Sequence, residues 1–284
     1  MSDPKVFLVT GASSGIGRSA AELLLAAGHV VYVAARRTER LEVLANPKDR
    51  DSKAGAKPLA MDVTKDDEML AGVNAIITAE GRIDGLVNNA GYGEYGSVEE
   101  TPIDAARYQF EVNVFGLARL TQLVLPYMRH QGAGRIVNVS SIGGKIGEPH
   151  GAWYHATKFA VEGFSDSLRM EVAQFGIDVS VIQPGAIKTE WNGIAGEKLL
   201  ERSGDGPYGD MARKHAAFFE QTYASGQASE PAVVGRAIVH ALTAASPKTR
   251  YAVGGGATPI LAARSLLSDR LFDKLMLTSI KRAK

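Results

Sequence analysis

Short apolar runs rich in Val, Ile and Leu alternate along the chain with longer segments whose apolar positions recur at helical spacing. Val6–Thr10, His29–Ala34, Ala56–Met61, Gly85–Asn88, Arg135–Ser140 and Val179–Gln183 predict buried strands. They are short, rich in β-branched residues, and mostly bounded by Gly, Pro or charged residues. Stretches 16–27, 38–45, 66–79, 104–130 and 153–175 predict the helices between them. Strand–helix alternation of this kind argues for an α/β fold, a parallel sheet with helices on both faces. Because such crossovers are right-handed, a doubly wound sheet is the economical topology.

From Lys188 to about Gln227 the pattern turns irregular and Gly-rich, with Trp191, Tyr208, Phe218, Phe219 and Tyr223 scattered through it. A helix near 230–245 follows, then a strand at Tyr251–Val253, then an amphipathic tail carrying Leu266, Leu267, Leu271, Leu275 and Leu277. No linker-like stretch or repeat interrupts the first 185 residues. Residues 1–284 are therefore read as a single domain, with a helical substrate lid at about 188–227 and a C-terminal tail at about 257–284.

Composition narrows the chemistry. The 284 residues include no cysteine, which removes disulfides, zinc–thiolate sites and thiol nucleophiles and fits a cytoplasmic setting. A net charge of +1 without a basic stripe argues against nucleic acid as a partner. Met1 to Lys5 is short and polar, with no signal-peptide pattern, and no apolar run is long enough to span a membrane. The histidines, His29, His130, His150, His155, His215 and His240, show no metal-ligand spacing, so no metal site is expected. His155, next to Tyr154, is expected to point off the catalytic face of its helix.

The first strand ends in Thr10-Gly11-Ala12-Ser13-Ser14-Gly15-Ile16-Gly17 and passes at once into a helix. A tight strand-to-helix turn needs unusual backbone angles, and a pyrophosphate approaching the backbone leaves no room for a Cβ. The helix N-terminus adds unpaired N–H groups and a favourable dipole. After the second strand comes Ala35-Arg36-Arg37. An acidic side chain here would bond the ribose 2′-hydroxyl of NAD, whereas arginine accommodates a 2′-phosphate, so the expected cofactor is NADP(H) rather than NAD(H).

Tyr154 and Lys158 stand at i, i+4 near the start of a predicted helix, on one face. A phenol near pKa 10 is a poor base at neutral pH, and a nearby ammonium is expected to lower that value. The pair suits proton transfer in carbonyl reduction or alcohol oxidation. Ser141 lies at the end of a predicted strand, the edge where doubly wound sheets bind ligands, and its hydroxyl can bond a substrate oxygen. Asn113 sits inside a predicted helix, an awkward place for a short amide. Asn88-Asn89-Ala90-Gly91 closes another strand at the ligand edge.

Together with Asp62-Val63 and Pro184-Gly185-x-Ile187-x-Thr189, these motifs resemble, in order, the short-chain dehydrogenase/reductase family in its single-domain branch. The resemblance covers residues 5 to about 190, and finer segments such as Lys158–Gly163 are similar to its hydroxysteroid and retinol dehydrogenase side. It implies a Rossmann fold and an oxidoreductase acting on CH–OH donors. Tyr154 would be the general acid/base, and Lys158 would tune it and bind the nicotinamide ribose. Ser141 would polarise the carbonyl, and Asn113 would hold a relay water. For the cofactor, the resemblance implies Gly11, Ser13, Ser14, Gly15, Ile16 and Gly17 at the phosphates. Asp62 and Val63 would hold the adenine, Asn89, Ala90 and Gly91 would line the adenosine ribose, and Pro184, Gly185, Ile187 and Thr189 would hold the nicotinamide end. It also implies a homodimer or homotetramer and a small, apolar carbonyl or alcohol substrate. A catalytically silent cofactor sensor or scaffold on the same fold is the competing expectation, and damage at Asn113, Ser141, Tyr154 or Lys158 would favour it; all four are intact. A nucleotide-sugar epimerase would carry a different glycine turn and a larger C-terminal domain, and this chain has neither.

Overall fold

The computed structural model describes residues 3–45 and 55–283. The chain runs β1 (Val6–Thr10), α1 (Gly15–Ala26), β2 (Val30–Ala35), α2 (Glu39–Ala45), β3 (Ala56–Ala60), α3 (Asp66–Glu80) and β4 (Gly85–Asn88). Next come α4 (Ile103–Phe110), a π turn (Glu111–Phe115), α5 (Gly116–Gln131), β5 (Gly134–Val139), α6 (Ala152–Val172) and β6 (Ile177–Pro184). The remainder is α7 (Trp191–Ser203), α8 (Gly209–Ala224), α9 (Pro231–Thr243), β7 (Arg250–Val253), α10 (Ala257–Leu266) and α11 (Asp269–Lys281).

The seven strands form one parallel sheet in the order β3-β2-β1-β4-β5-β6-β7. Strand order reverses beside β1, so the crevice at the carboxyl ends of β1 and β4 is where such a sheet receives a ligand. Alternate strand residues feed two cores. Phe7, Val9, Val33, Val87 and Val137 pack with Leu24 of α1 and Ile238 of α9 on one face. Leu8, Tyr32, Leu86 and Ile136 pack with Ile76 of α3, Leu120 of α5 and Leu168 of α6 on the other. Burial on both faces is why these strands are nearly continuous runs of apolar residues.

One expectation needs correction. The helix predicted over 104–130 is interrupted by the π turn at 111–115, which holds Asn113 buried. Such one-turn bulges in helices mark functional positions more often than chance. The helical lid expected from Lys188 to Gln227, irregular as its sequence pattern is, consists of two helices, α7 and α8. Its apolar signal was present at helical spacing, in Ala195 and Leu199 and in Ala212, Ala216 and Phe219, all buried. Gly193 and Gly196 obscured it, yet both face open space and weaken α7 only through backbone entropy. In the tail, α11 buries Phe272 and Ile280 and leaves Leu271 and Leu275 exposed.

Candidate active site

The turn from β1 into α1 is built by close backbone packing. Gly11 and Gly15 adopt positive φ (63° and 54°), the left-handed region that favours glycine. A Cβ on Gly17 would stand 2.5 Å from both the Asn89 amide nitrogen and the Gly11 carbonyl. Asn89 is fixed there because its amide donates to the carbonyls of Thr10 (3.0 Å) and Gly11 (3.3 Å). The Thr10 hydroxyl accepts from the backbone N–H groups of Asn89 and Ala90, at 3.0 and 3.1 Å. The ends of β1 and β4 are thus tied together, leaving a cradle of bare backbone at the start of α1, where N–H groups point outward.

Every predicted site position except Gly17 and Asn113 lines one cavity of ≈ 500 Å³. At its far end stand Ala35, Arg36 and Arg37, after β2. Arg36 donates to the Tyr108 hydroxyl at 3.4 Å, while Arg37 pairs with Glu190 at 3.3 Å. Arg40, which sequence reasoning missed, holds the same Glu190 at 2.7 Å. It lines the outer mouth beside Ser13, Ser14 and Gly15, and its signal was its place one turn beyond Arg36 and Arg37. Asp62 folds its carboxylate onto Thr64, accepting from the backbone N–H at 3.0 Å and from the hydroxyl at 2.9 Å.

At the other end, Ser141 follows β5 and caps a short 3-10 turn, accepting from the Gly143 N–H at 3.0 Å. Tyr154 lies in the first turn of α6, buried against the rings of Tyr95 and Trp191 at 5.6 and 5.2 Å. Lys158, one turn on, donates to the Val139 carbonyl at 3.0 Å. Burial lowers its pKa to about 8. Tyr154 departs from expectation: burial raises its pKa above 10, Glu148 and Tyr223 push the same way, and a hydrogen bond with Ser141 opposes them. The protein alone therefore holds the phenol protonated.

The Asn113 side-chain amide is tied to its neighbours by three hydrogen bonds. Its Oδ1 accepts from the Tyr92 N–H at 3.1 Å, and its Nδ2 donates to the Tyr92 carbonyl (2.9 Å) and the Thr157 hydroxyl (3.1 Å). The side chain does not line the cavity. Asn113 instead fixes the loop after β4 close to the lysine, since a Cβ on Gly91 would lie 3.1 Å from Asn113 Oδ1 and 3.8 Å from Lys158 Nζ.

A second polar cluster adjoins the phenol. Glu148 accepts from the Tyr95 hydroxyl at 2.7 Å and faces His155 Nε2 at 3.6 Å and His215 Nε2 at 3.8 Å. His155 does not point away from the site as expected; it lines the cavity and its Nδ1 lies 2.9 Å from the Gly143 carbonyl. Sequence reasoning missed Glu148, Tyr95 and His215. The available signal was the run of ionisable residues from the β5–α6 loop into the first turn of α6, Glu148, His150 and His155. Among the described residues, no group of His, Asp and Glu is arranged to hold a metal, and no helix is long and apolar enough to cross a membrane.

Comparison with known proteins agrees with this architecture. The short chain dehydrogenase family model matches residues 5–199. The chain is 34% identical over 272 residues to a 3-ketodihydrosphingosine reductase of Bacteroides thetaiotaomicron, covering 95% of this chain and 96% of that one. It is 32% identical to an NADPH-dependent 3-dehydrocapnine reductase of Ornithobacterium rhinotracheale, covering 97% of each. The crystal structure of a short-chain dehydrogenase from Streptomyces avermitilis superposes with a TM-score of 0.75 at 36% identity, covering 99% of this chain and 97% of that one. The chain belongs to the short-chain dehydrogenase/reductase family and is an oxidoreductase of that type.

Proposed function

We propose that the protein reduces an apolar ketone to a secondary alcohol with NADPH, and runs the reverse with NADP+, using Tyr154 as the acid/base. The observation that carries this reading is that Tyr154, Ser141 and Lys158 share one cavity with the glycine cradle and Arg36. The cradle fits a dinucleotide, because Gly11 and Gly15, both at positive φ, leave bare backbone facing the cavity at the start of α1. When bound, the nicotinamide supplies or takes up the hydride.

The chain's residues handle the oxygen and its proton. The Ser141 hydroxyl donates a hydrogen bond to the carbonyl oxygen and polarises it. Tyr154 gives its phenolic proton to that oxygen as negative charge develops there. The Lys158 ammonium stabilises the resulting phenolate. Asn113 positions the Gly91–Tyr92 backbone against Lys158.

Arg36 and Arg37 beside neutral Ala35 support a 2′-phosphate over a 2′-hydroxyl. The name of one relative specifies NADPH. Trp191, Phe218, Phe219, Ile260 and Met276 line the substrate end and support an apolar substrate. A silent scaffold has no comparable support, since all four proposed catalytic side chains are in place. We read the described residues as one domain, with α7 and α8 as the lid. The exposed Phe115, Phe159 and Met170 on the outer faces of the π turn and α6 support a homo-oligomer.

A panel of ketones and aldehydes, followed by loss of NADPH absorbance, tests the activity. Turnover of apolar ketones is expected, with kcat/KM for NADPH at least tenfold that for NADH. Absence of turnover across the panel contradicts the reaction, and equal use of NADH contradicts the cofactor.

A further inference from the structure

Ketone reduction as proposed needs the Ser141 hydroxyl and the Tyr154 phenol to converge on one oxygen, yet the two residues belong to different elements. Ser141 follows β5, and Tyr154 stands in the first turn of α6. A misplacement of about 1 Å between such groups can cost about 10²-fold in rate. The turn after Ser141 must therefore be held firmly against α6.

Ser141 opens the 3-10 turn Ile142–Gly144, and its Oγ accepts from the Gly143 N–H at 3.0 Å. That bond occupies a lone pair of the hydroxyl and leaves its proton to be donated. The carbonyl of Gly143 is held as well, 2.9 Å from His155 Nδ1. A carbonyl only accepts, so Nδ1 carries a proton and donates it. Gly143 also packs directly on two rings of α6. A Cβ there would stand 3.0 Å from His155 Nδ1 and 3.2 Å from Tyr154 Cε1.

His155 is itself fixed in place. The side chain is buried, and the backbone N–H donates to the Gly151 carbonyl at 2.8 Å. Its Nε2 faces the Glu148 carboxylate at 3.6 Å. Glu148 in turn accepts from the Tyr95 hydroxyl at 2.7 Å, and the Tyr95 ring packs against Tyr154 with centres 5.6 Å apart. Burial lowers the imidazole pKa, but Glu148 outweighs it and raises the value above the ordinary 6.5. A protonated ring still donates from Nδ1, so the bond to Gly143 holds in either charge state.

We propose that His155 is a positioning residue, which sets Ser141 against Tyr154 through the Gly143 carbonyl. This rests on the carbonyl chemistry proposed above and adds a residue that acts through Ser141 rather than on the substrate. The placement is economical: His155 follows Tyr154 directly in α6, so one helical turn carries both the proton donor and the clamp on its partner.

Steady-state kinetics of ketone reduction by the full-length protein tests this with two variants that each keep one end of the ring. Asn places an amide nitrogen where Nδ1 stood, whereas Gln reaches the Nε2 position beside Glu148. His155→Gln is expected to lose about tenfold to a hundredfold in kcat, with KM for NADPH and for the ketone changed by less than about threefold. His155→Asn is expected to recover most of that loss. Where the Gln variant does not fold, His155→Leu, which fills the buried site without a donor, takes its place with the same expected result. Ser141→Ala should cost about tenfold less in the His155→Gln background than in the parent, because two residues acting as one unit are not additive. Equal losses in the Asn and Gln variants overturn the proposal, as does a Ser141→Ala cost that is the same in both backgrounds. Failure of the parent to turn over any ketone contradicts the reaction and this role together. A His155→Gln variant as fast as an active parent contradicts the role alone.

Discussion

The Lys158 ammonium lies 5.8 Å from the centre of the Tyr154 ring and spends its 3.0 Å hydrogen bond on the Val139 carbonyl. In the proposed reaction the lysine therefore acts on the tyrosine as a buried charge rather than as a direct donor. Burial also makes that charge easy to lose, with a pKa of about 8. The pH dependence of kcat/KM for ketone reduction, which reports free-enzyme groups, should fall above pH 8 as the lysine deprotonates. The residual activity of Lys158→Arg should show no such fall below about pH 10, because a guanidinium stays charged. An unchanged profile in the arginine variant contradicts this role.

Glu190 competes for the arginines that the cofactor would use, pairing with Arg37 at 3.3 Å and Arg40 at 2.7 Å. These pairs are exposed and weak in themselves. Glu190→Gln should therefore improve KM for NADPH a few-fold and leave KM for NADH unchanged. Arg36→Ala should weaken NADPH about tenfold, roughly 1.4 kcal/mol, again sparing NADH. Parallel losses with both cofactors would show that these arginines do not read the phosphate.

His150 is buried, and burial with His215 beside it lowers its pKa from 6.5 to about 4. Between those values the unfolded chain binds a proton that the folded chain does not. Stability is therefore complete above pH 6.5 and falls as pH drops toward 4, by up to about 3 kcal/mol. The residue also sits at φ 60°, where asparagine is tolerated. Urea denaturation of His150→Asn should show a flatter acid limb over pH 4–6.5 than the parent, and an identical slope would refute the assignment.

Gly17→Ala should cost roughly 1–3 kcal/mol, because its Cβ would stand 2.5 Å from Asn89 and from the Gly11 carbonyl. Melting should drop by several degrees, and NADPH affinity should fall at least tenfold as the cradle shifts. Gly193→Ala, where a Cβ meets nothing within 4 Å inside α7, should instead stabilise by roughly 0.5–1 kcal/mol. Thermal melts of the two variants, with and without NADP+, check both signs.

The sheet was legible because strands buried on both faces are nearly continuous in apolar residues, as Phe7–Val9 and Ile136–Val137 are. The glycine turn was legible because backbone packing at Gly11 and Gly17 forbids side chains. The π turn around Asn113 was not, since one extra residue in a helical turn leaves apolar spacing almost unchanged over a few residues. The lid was legible as helical, but Gly193 and Gly196, which serve no tight contact, blurred the bounds of α7. Glu148 was invisible for a different reason. Its meaning depends on Tyr95, His155 and His215, which approach from three separate parts of the chain only after folding. The raised pKa of Tyr154 was missed likewise: sequence spacing shows that Lys158 is near, but not that burial outweighs it.

The central claim is that Tyr154 delivers the proton to the substrate oxygen, and kcat for NADPH-dependent ketone reduction by Tyr154→Phe tests it most directly. The variant should keep its fold and its NADPH affinity, because only a hydroxyl is removed. Its kcat should fall about 10²–10⁴-fold, the range for losing a positioned general acid. A kcat within tenfold of the parent, with NADPH still bound, would place the proton donor elsewhere.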